Sequence, residues 1–166
     1  MFEVGEFIVH PGQGVCQIKG IVDEPMSSYM LTPVGQRNPM RISFPIARED
    51  TLRPILSHDE AVEIIDDYPT MAPESHKERS NALEEQYFTD EIRYGDCRDS
   101  VRIVKTFRQR IEDLKAAGKK PPVAYERILK KARKRSLTEL SVALDKTPED
   151  VTMLFVASEG ENPEDN

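Results

Sequence analysis

The chain contains no tryptophan, two cysteines (Cys16 and Cys97) and three histidines (His10, His58 and His76). The cysteines lie far apart with no C-x-x-C partner, which argues against a disulfide framework or a thiolate metal site and leaves them as small apolar core residues. No apolar run approaches the ~18 residues needed to cross a bilayer. Glu3 and Glu6 stand where a secretory signal wants positive charge, so neither export nor insertion is expected, and the cytosol is the expected compartment. No H-E-x-x-H, nucleophile elbow or phosphate-cradling glycine loop accompanies the histidines. On this basis no enzyme, cofactor or metal site is expected.

What is present is 166 residues with a formal net charge of -7 and 38% hydrophobic residues, enough for one or two globular domains. The charge is unevenly arranged. Residues 57–100 carry 4 basic and 13 acidic side chains, whereas residues 101–135 carry 13 basic and 3 acidic. Such a local reversal is the footprint expected for a polyanion, against the plainer alternative of a solvated helix face that pairs with the acidic segments of the same chain.

From Met1 to about Ile55 the pattern is short alternating stretches broken by turn residues, which predicts strands. They are expected at Val4–Val9, Val15–Val22, Tyr29–Val34 and Met40–Ile46, with a tight turn at His10-Pro11-Gly12-Gln13-Gly14 and a hairpin loop at residues 35–39. In the second strand, alternation puts Cys16, Ile18 and Val22 on the inner face. Several strands in so short a segment suggest a small barrel. Helices are expected from Ser57 onward. Ser57-x-x-Glu60, Ser75-x-x-Glu78 and Ser136-x-x-Glu139 have the capping-box form, Pro121-Pro122 follows a Gly118 stop, and Thr147-Pro148 supplies another start. The expected organisation is α+β: a β domain over residues 1–56, a helical bundle over 57–157 and a disordered acidic tail over 158–166.

On the helix expected from about residue 122 to 135, Arg127, Lys130, Lys131 and Lys134 fall at i, i+3, i+4 and i+7, opposite an apolar stripe of Tyr125, Ile128, Leu129 and Ala132. Arg98, Arg102 and Lys105 share a side of the preceding helix, so two helices could offer one basic surface to phosphates. Neutralising about four phosphates would lower affinity about a hundredfold between 50 and 200 mM salt. Duplex binding is therefore expected only when another protein holds the chain in place.

Val4-Gly5-x-Phe7-Ile8-Val9-His10-Pro11-Gly12-x-Gly14-Val15, then Met40-Arg41-Ile42-Ser43-Phe44-Pro45-Ile46 and Leu52-Arg53-Pro54-Ile55, resemble the N-terminal signature of CarD/CdnL-type bacterial transcription regulators. The resemblance implies a Tudor-like antiparallel β-barrel followed by an all-α bundle. It also implies docking on the RNA polymerase β subunit and non-specific contact with promoter DNA that modulates open-complex stability. The docking strand corresponds to Met40, Arg41, Ile42, Ser43 and Phe44. A basic residue common in its middle falls on or near Ser43, leaving Arg41 as the charged contact. Family members commonly carry a wedging tryptophan at the start of the second helix. Here Ser75 or His76 occupies that region, with Lys77 and Arg79 as neighbouring phosphate contacts. The stretch Tyr87 to Tyr94 holds aromatics without a counterpart.

Two other readings compete. Leu137 to Val151 superficially reads as a helix-turn-helix of a sequence-specific regulator, but its second helix opens Pro148-Glu149-Asp150, acidic where phosphates would lie. The missing tryptophan also leaves room for a polymerase-binding adaptor that makes no DNA contact. A monomer is expected.

Overall fold

The computed structural model describes residues 1–160. It divides into two units, Met1–Ile55 and a second beginning at Leu56. The first is a five-stranded antiparallel sheet, β1 (Phe7–His10), β2 (Gly14–Val22), β3 (Ser28–Pro33), β4 (Ile42–Pro45) and β5 (Arg53–Pro54), paired in the order β4-β3-β2-β1-β5. The β1–β2 connection closes at Gly14, whose φ of 79° is a left-handed backbone that favours glycine. Ile8, Cys16, Ile18, Tyr29, Leu31, Phe44 and Leu52 form one buried cluster inside this unit. Tyr29, fully buried, keeps its hydroxyl satisfied by donating to Glu49 at 2.5 Å and accepting from the Phe2 amide at 2.9 Å. This arrangement, with helices following, is the expected Tudor-like α+β organisation.

Two details differ from simple alternation. In β2 the register against β3 shifts between Ile18 and Gly20, a bulge at Lys19 that exchanges the faces of the residues beyond it. Ile21 therefore packs on the core, while Val22, expected inside, is 43% exposed. The first strand begins at Phe7 rather than Val4, because the Glu6 amide donates to the Glu3 carbonyl and Gly5 turns the chain at φ 94°.

The second unit holds α1 (His58–Asp67), α2 (Asn81–Tyr94), α3 (Cys97–Ala116), α4 (Val123–Leu144) and α5 (Pro148–Gly160). The α1 start is the expected box: the Ser57 side chain accepts from the Glu60 amide and Glu60 accepts from the Ser57 amide. Thr147 caps α5 by accepting from the Asp150 amide, and α4 follows Pro122. Two cores line the α3–α4 pair. One gathers Ala61, Ile64, Ile65, Tyr68, Val101, Leu140 and Val151; the other gathers Phe88, Ile92, Ile103, Phe107, Ile128 and Ala132. Cys16 and Cys97 are both buried. Among the described residues no helix is long and apolar enough to cross a membrane.

The other two serine boxes are not helix starts. Ser136 lies inside α4, where its hydroxyl donates to the Ala132 carbonyl, while Glu139 is buried and accepts from the Leu56 amide at 3.0 Å. The apolar period continues through Leu140 and Leu144 into the core, so burial overrides the local cap and the two expected helices merge into one. Residues 71–79 form neither helix nor strand, and α2 opens instead at Ser80, which accepts from the Leu83 amide. A further unforeseen box, Asp96 with Asp99, starts α3. Ser158 to Gly160, expected in a disordered tail, continue α5, and the Ser158 hydroxyl donates to the Ile65 carbonyl. The rest of that expected tail lies outside the described residues.

Candidate functional site

Among the described residues β4 is an edge strand, with β3 on one side only. The Ile46 amide donates to the directly opposite Ser27 carbonyl at 3.0 Å, which makes this a hydrogen-bonded pair of the antiparallel ladder. Alternation makes Phe44 with Tyr29 and Ile42 with Leu31 the next such pairs, and turns the main-chain N–H and C=O of Ser43 away from β3. Pro45, which has no N–H, falls on the same outward side, where a proline costs the ladder nothing. The side chains sort accordingly. Phe44 is buried and Ile42 half-buried on the core, whereas Ser43, Arg41 and Met40 are exposed, Met40 at 78%. Met40 and Arg41 precede the strand rather than belonging to it. The result is a bare backbone edge flanked by one flexible apolar side chain and one guanidinium.

In the helical unit the expected cations divide into engaged and free. Arg127 grips Glu85 through Nε at 2.7 Å and Nη2 at 2.9 Å, and Lys131 stands 4.0 Å from the same carboxylate. The Arg127 hydrogen bond holds the Glu85 carboxyl below its usual range, so Glu85 remains charged and neutralises part of the α4 face at neutral pH. Arg102 pairs with Asp99 at 3.5 Å. The Lys105 ammonium donates to the Tyr68 and Pro69 carbonyls at 2.7 and 2.9 Å, closing the end of the turn that follows α1, and its burial lowers its pKa. Arg98 likewise turns to α1, reaching Asp67 at 3.0 Å. Arg98 and Lys105 therefore serve the α1 end and Arg102 its own helix, so the α3 cations do not extend the α4 face into a continuous basic surface. Lys130 and Lys134 on α4, and Lys77 and Arg79 ahead of α2, are exposed and take no side-chain partner among the described residues. Contacts of Tyr125 with Glu84, Arg127 with Glu85 and Arg135 with the Arg93 carbonyl align α2 and α4 in parallel, so Lys77 and Arg79 enter at the end where α4 begins.

His76 is not a first-turn residue. Its ring stacks face to face on Tyr87 at 3.7 Å and its Nε2 lies 2.9 Å from Glu78, while its carbonyl accepts from Arg110 Nη2 at 2.6 Å. That placement rests on a buried hub. Arg110 Nη1 meets Glu84 at 3.1 Å, with side chains 14% and 4% exposed, and the guanidinium lies over the Phe88 and Phe107 rings. Glu84 also accepts from the Tyr125 hydroxyl at 3.2 Å and from the Glu78 amide at 3.4 Å, and Thr106 Oγ1 accepts from the Glu74 amide at 2.8 Å. The hub straps residues 74–78 onto α3 and removes any need for helical hydrogen bonds there.

The CarD-like/TRCF RID domain model matches residues 2–56, about a third of the chain and nearly the whole of the β unit. The β unit is a CarD-like domain. No curated protein matches the chain. CarD-like domains of this type interact with RNA polymerase, so the chain is a transcription-related, RNA polymerase-interacting protein. Of the docking segment named from the family resemblance, Ile42 to Phe44 lie in edge strand β4 of this CarD-like domain, and Met40 and Arg41 lead into it. Sequence reasoning missed Arg110, Glu84 and Tyr125. Its only signal was a glutamate and an arginine at positions that the helical period places inside, where an unpaired charge is not tolerated.

Proposed function

We propose that the protein is a transcription regulator in which the CarD-like domain docks on the RNA polymerase β subunit through its β4 edge, while the helical unit contacts promoter DNA non-specifically and modulates open-complex stability. The observation that carries this reading is the bare β4 edge inside a polymerase-interacting domain: main-chain donors and acceptors aimed outward are the chemistry of strand addition. The unpartnered Lys130, Lys134, Lys77 and Arg79 support the DNA contact, which needs positive charge that no internal carboxylate has already taken. The helix-turn-helix alternative is disfavoured, since the exposed residues of α5 include apolar Met153, Leu154 and Val156 and acidic Glu149 and Asp150 but no cation to meet phosphates. The adaptor alternative draws on the Glu85 pairing and on the His76 ring, which is committed to Tyr87 instead of standing free as a wedge.

A single experiment with the full chain and polymerase core separates these readings. Arg41→Glu is expected to weaken capture at least about tenfold, as expected for loss of a charged contact with reversal of its sign. The double variant Lys130→Glu, Lys134→Glu is expected to bind the core normally and shorten promoter-complex lifetime. Unchanged capture by Arg41→Glu removes the assigned docking edge. Unchanged lifetime for the lysine variant favours the adaptor.

A further inference from the structure

The helical unit contains a pocket of about 240 Å³ that the transcription reading leaves unused. Val101 and Val104 of α3, Leu137 of α4 and Phe155 of α5 form its walls, and Phe155 stands edge-on to Tyr68 at 5.1 Å. At about 30 Å³ per water-sized group, the space holds about eight such groups. The polar atoms along the wall are already committed. The Ser136 hydroxyl donates to the Ala132 carbonyl and the Thr152 hydroxyl to the Pro148 carbonyl, so the interior offers little to a sugar or a base.

The charged groups that line the pocket are Arg108, Arg133 and Glu159. Arg108 Nη1 donates to the Tyr68 hydroxyl at 2.9 Å and to Glu159 at 3.4 Å, which fixes the guanidinium while its Nε and Nη2 take no partner among the described residues. The Arg133 guanidinium takes none either. Among the groups that line the pocket, two guanidiniums stand against one carboxylate, an excess of one positive charge beside apolar walls. We propose that this pocket binds a medium-chain aliphatic carboxylate, its chain against Val101, Val104, Leu137 and Phe155 and its head at Arg133 and Arg108. The planar fork of arginine matches a carboxylate in two hydrogen bonds, and one net charge suits a monoanion. Such a ligand would also hold α5, of which Val151 is the one fully buried residue among those described.

The test is calorimetric titration of the full chain with octanoate, hexanoate and octylammonium, with methyl NMR shifts at Val104 and Leu137. Octanoate is expected to bind with a dissociation constant below about 1 mM and about fifteenfold more tightly than hexanoate, from two further buried methylenes. Arg133→Ala, at an exposed position, is expected to weaken octanoate about tenfold with the far-UV spectrum unchanged. Leu137→Trp and, independently, Val104→Phe are expected to abolish binding by filling the cavity, and at least one of the two is required to retain the native helical signal. Equal binding of octylammonium, indifference to Arg133→Ala, or no heat and no methyl shifts with octanoate would each overturn the assignment.

Discussion

Replacing Arg110 by methionine is expected to destabilise the helical unit by about 3–5 kcal/mol, the cost of leaving one member of a buried ion pair without its partner. Methionine keeps an unbranched stem between Phe88 and Phe107, so packing loss is small and the charge effect is isolated. Glu84, 4% exposed, would retain only the Tyr125 hydroxyl and the Glu78 amide, and the His76 carbonyl would lose its 2.6 Å donor. Urea unfolding of the full chain followed by helical circular dichroism measures the change. Adding Glu84→Gln to the Arg110 variant is expected to recover part of it, because the orphaned charge is then gone. A shift under about 1 kcal/mol would mean that solvent reaches Glu84 and that Thr106 and Glu84 hold the strap on residues 74–78 without Arg110. In the proposed function the same change frees Lys77 and Arg79 from their fixed entry beside α4, so it should also lower promoter-complex lifetime while polymerase capture persists.

Ser43→Pro is expected to reduce polymerase capture by the full chain at least about tenfold while leaving the β unit folded. The Ser43 amide points outward, so proline removes no bond to β3 and takes only the donor that an added strand would use. Restriction of Ile42 to extended backbone by the following proline matches its place in β4. Ser43→Ala keeps the amide and should bind as the parent does. Comparison of the two variants in a polymerase pull-down, with near-ultraviolet circular dichroism reporting the β-unit core, decides whether backbone pairing or side-chain contact dominates. Full capture by the proline variant would exclude strand addition at β4 and shift docking to the Arg41 and Met40 side chains.

Much of the candidate site was legible locally. The Met40 to Phe44 segment was named through the family resemblance, and the structure places Ile42 to Phe44 in edge strand β4 with Ile42 and Phe44 on the core and Ser43 exposed. The cationic spacing on α4 is real, but its charge was overcounted. Arg127 and Lys131 meet Glu85, a residue 42 positions from Arg127, and nothing in the spacing of α4 could announce that neighbour. Lys105 and Arg98 are equally long-range cases: their partners are carbonyls and a carboxylate at the C-terminal end of α1, visible only once that end meets α3.

The three serine boxes show where the boundary falls. Ser57, Ser75 and Ser136 carry the same four-residue signal, yet Ser57 alone opens a helix. At Ser57 the cap competes with nothing, whereas at Ser136 an apolar stripe runs through the position and burial of Leu140 and Leu144 outweighs a cap that is worth about 1 kcal/mol. At Ser75 the backbone is claimed by Arg110, Thr106 and Glu84, whose side chains come from elements further along the chain. Short-range periodicity and turn chemistry thus determined the strand-then-helix order, because that depends on residues within a turn or a hairpin of each other. Which cations remain free, and which local signals are silenced, was decided by tertiary packing, because the energies of burial and of buried ion pairs exceed those of any single cap.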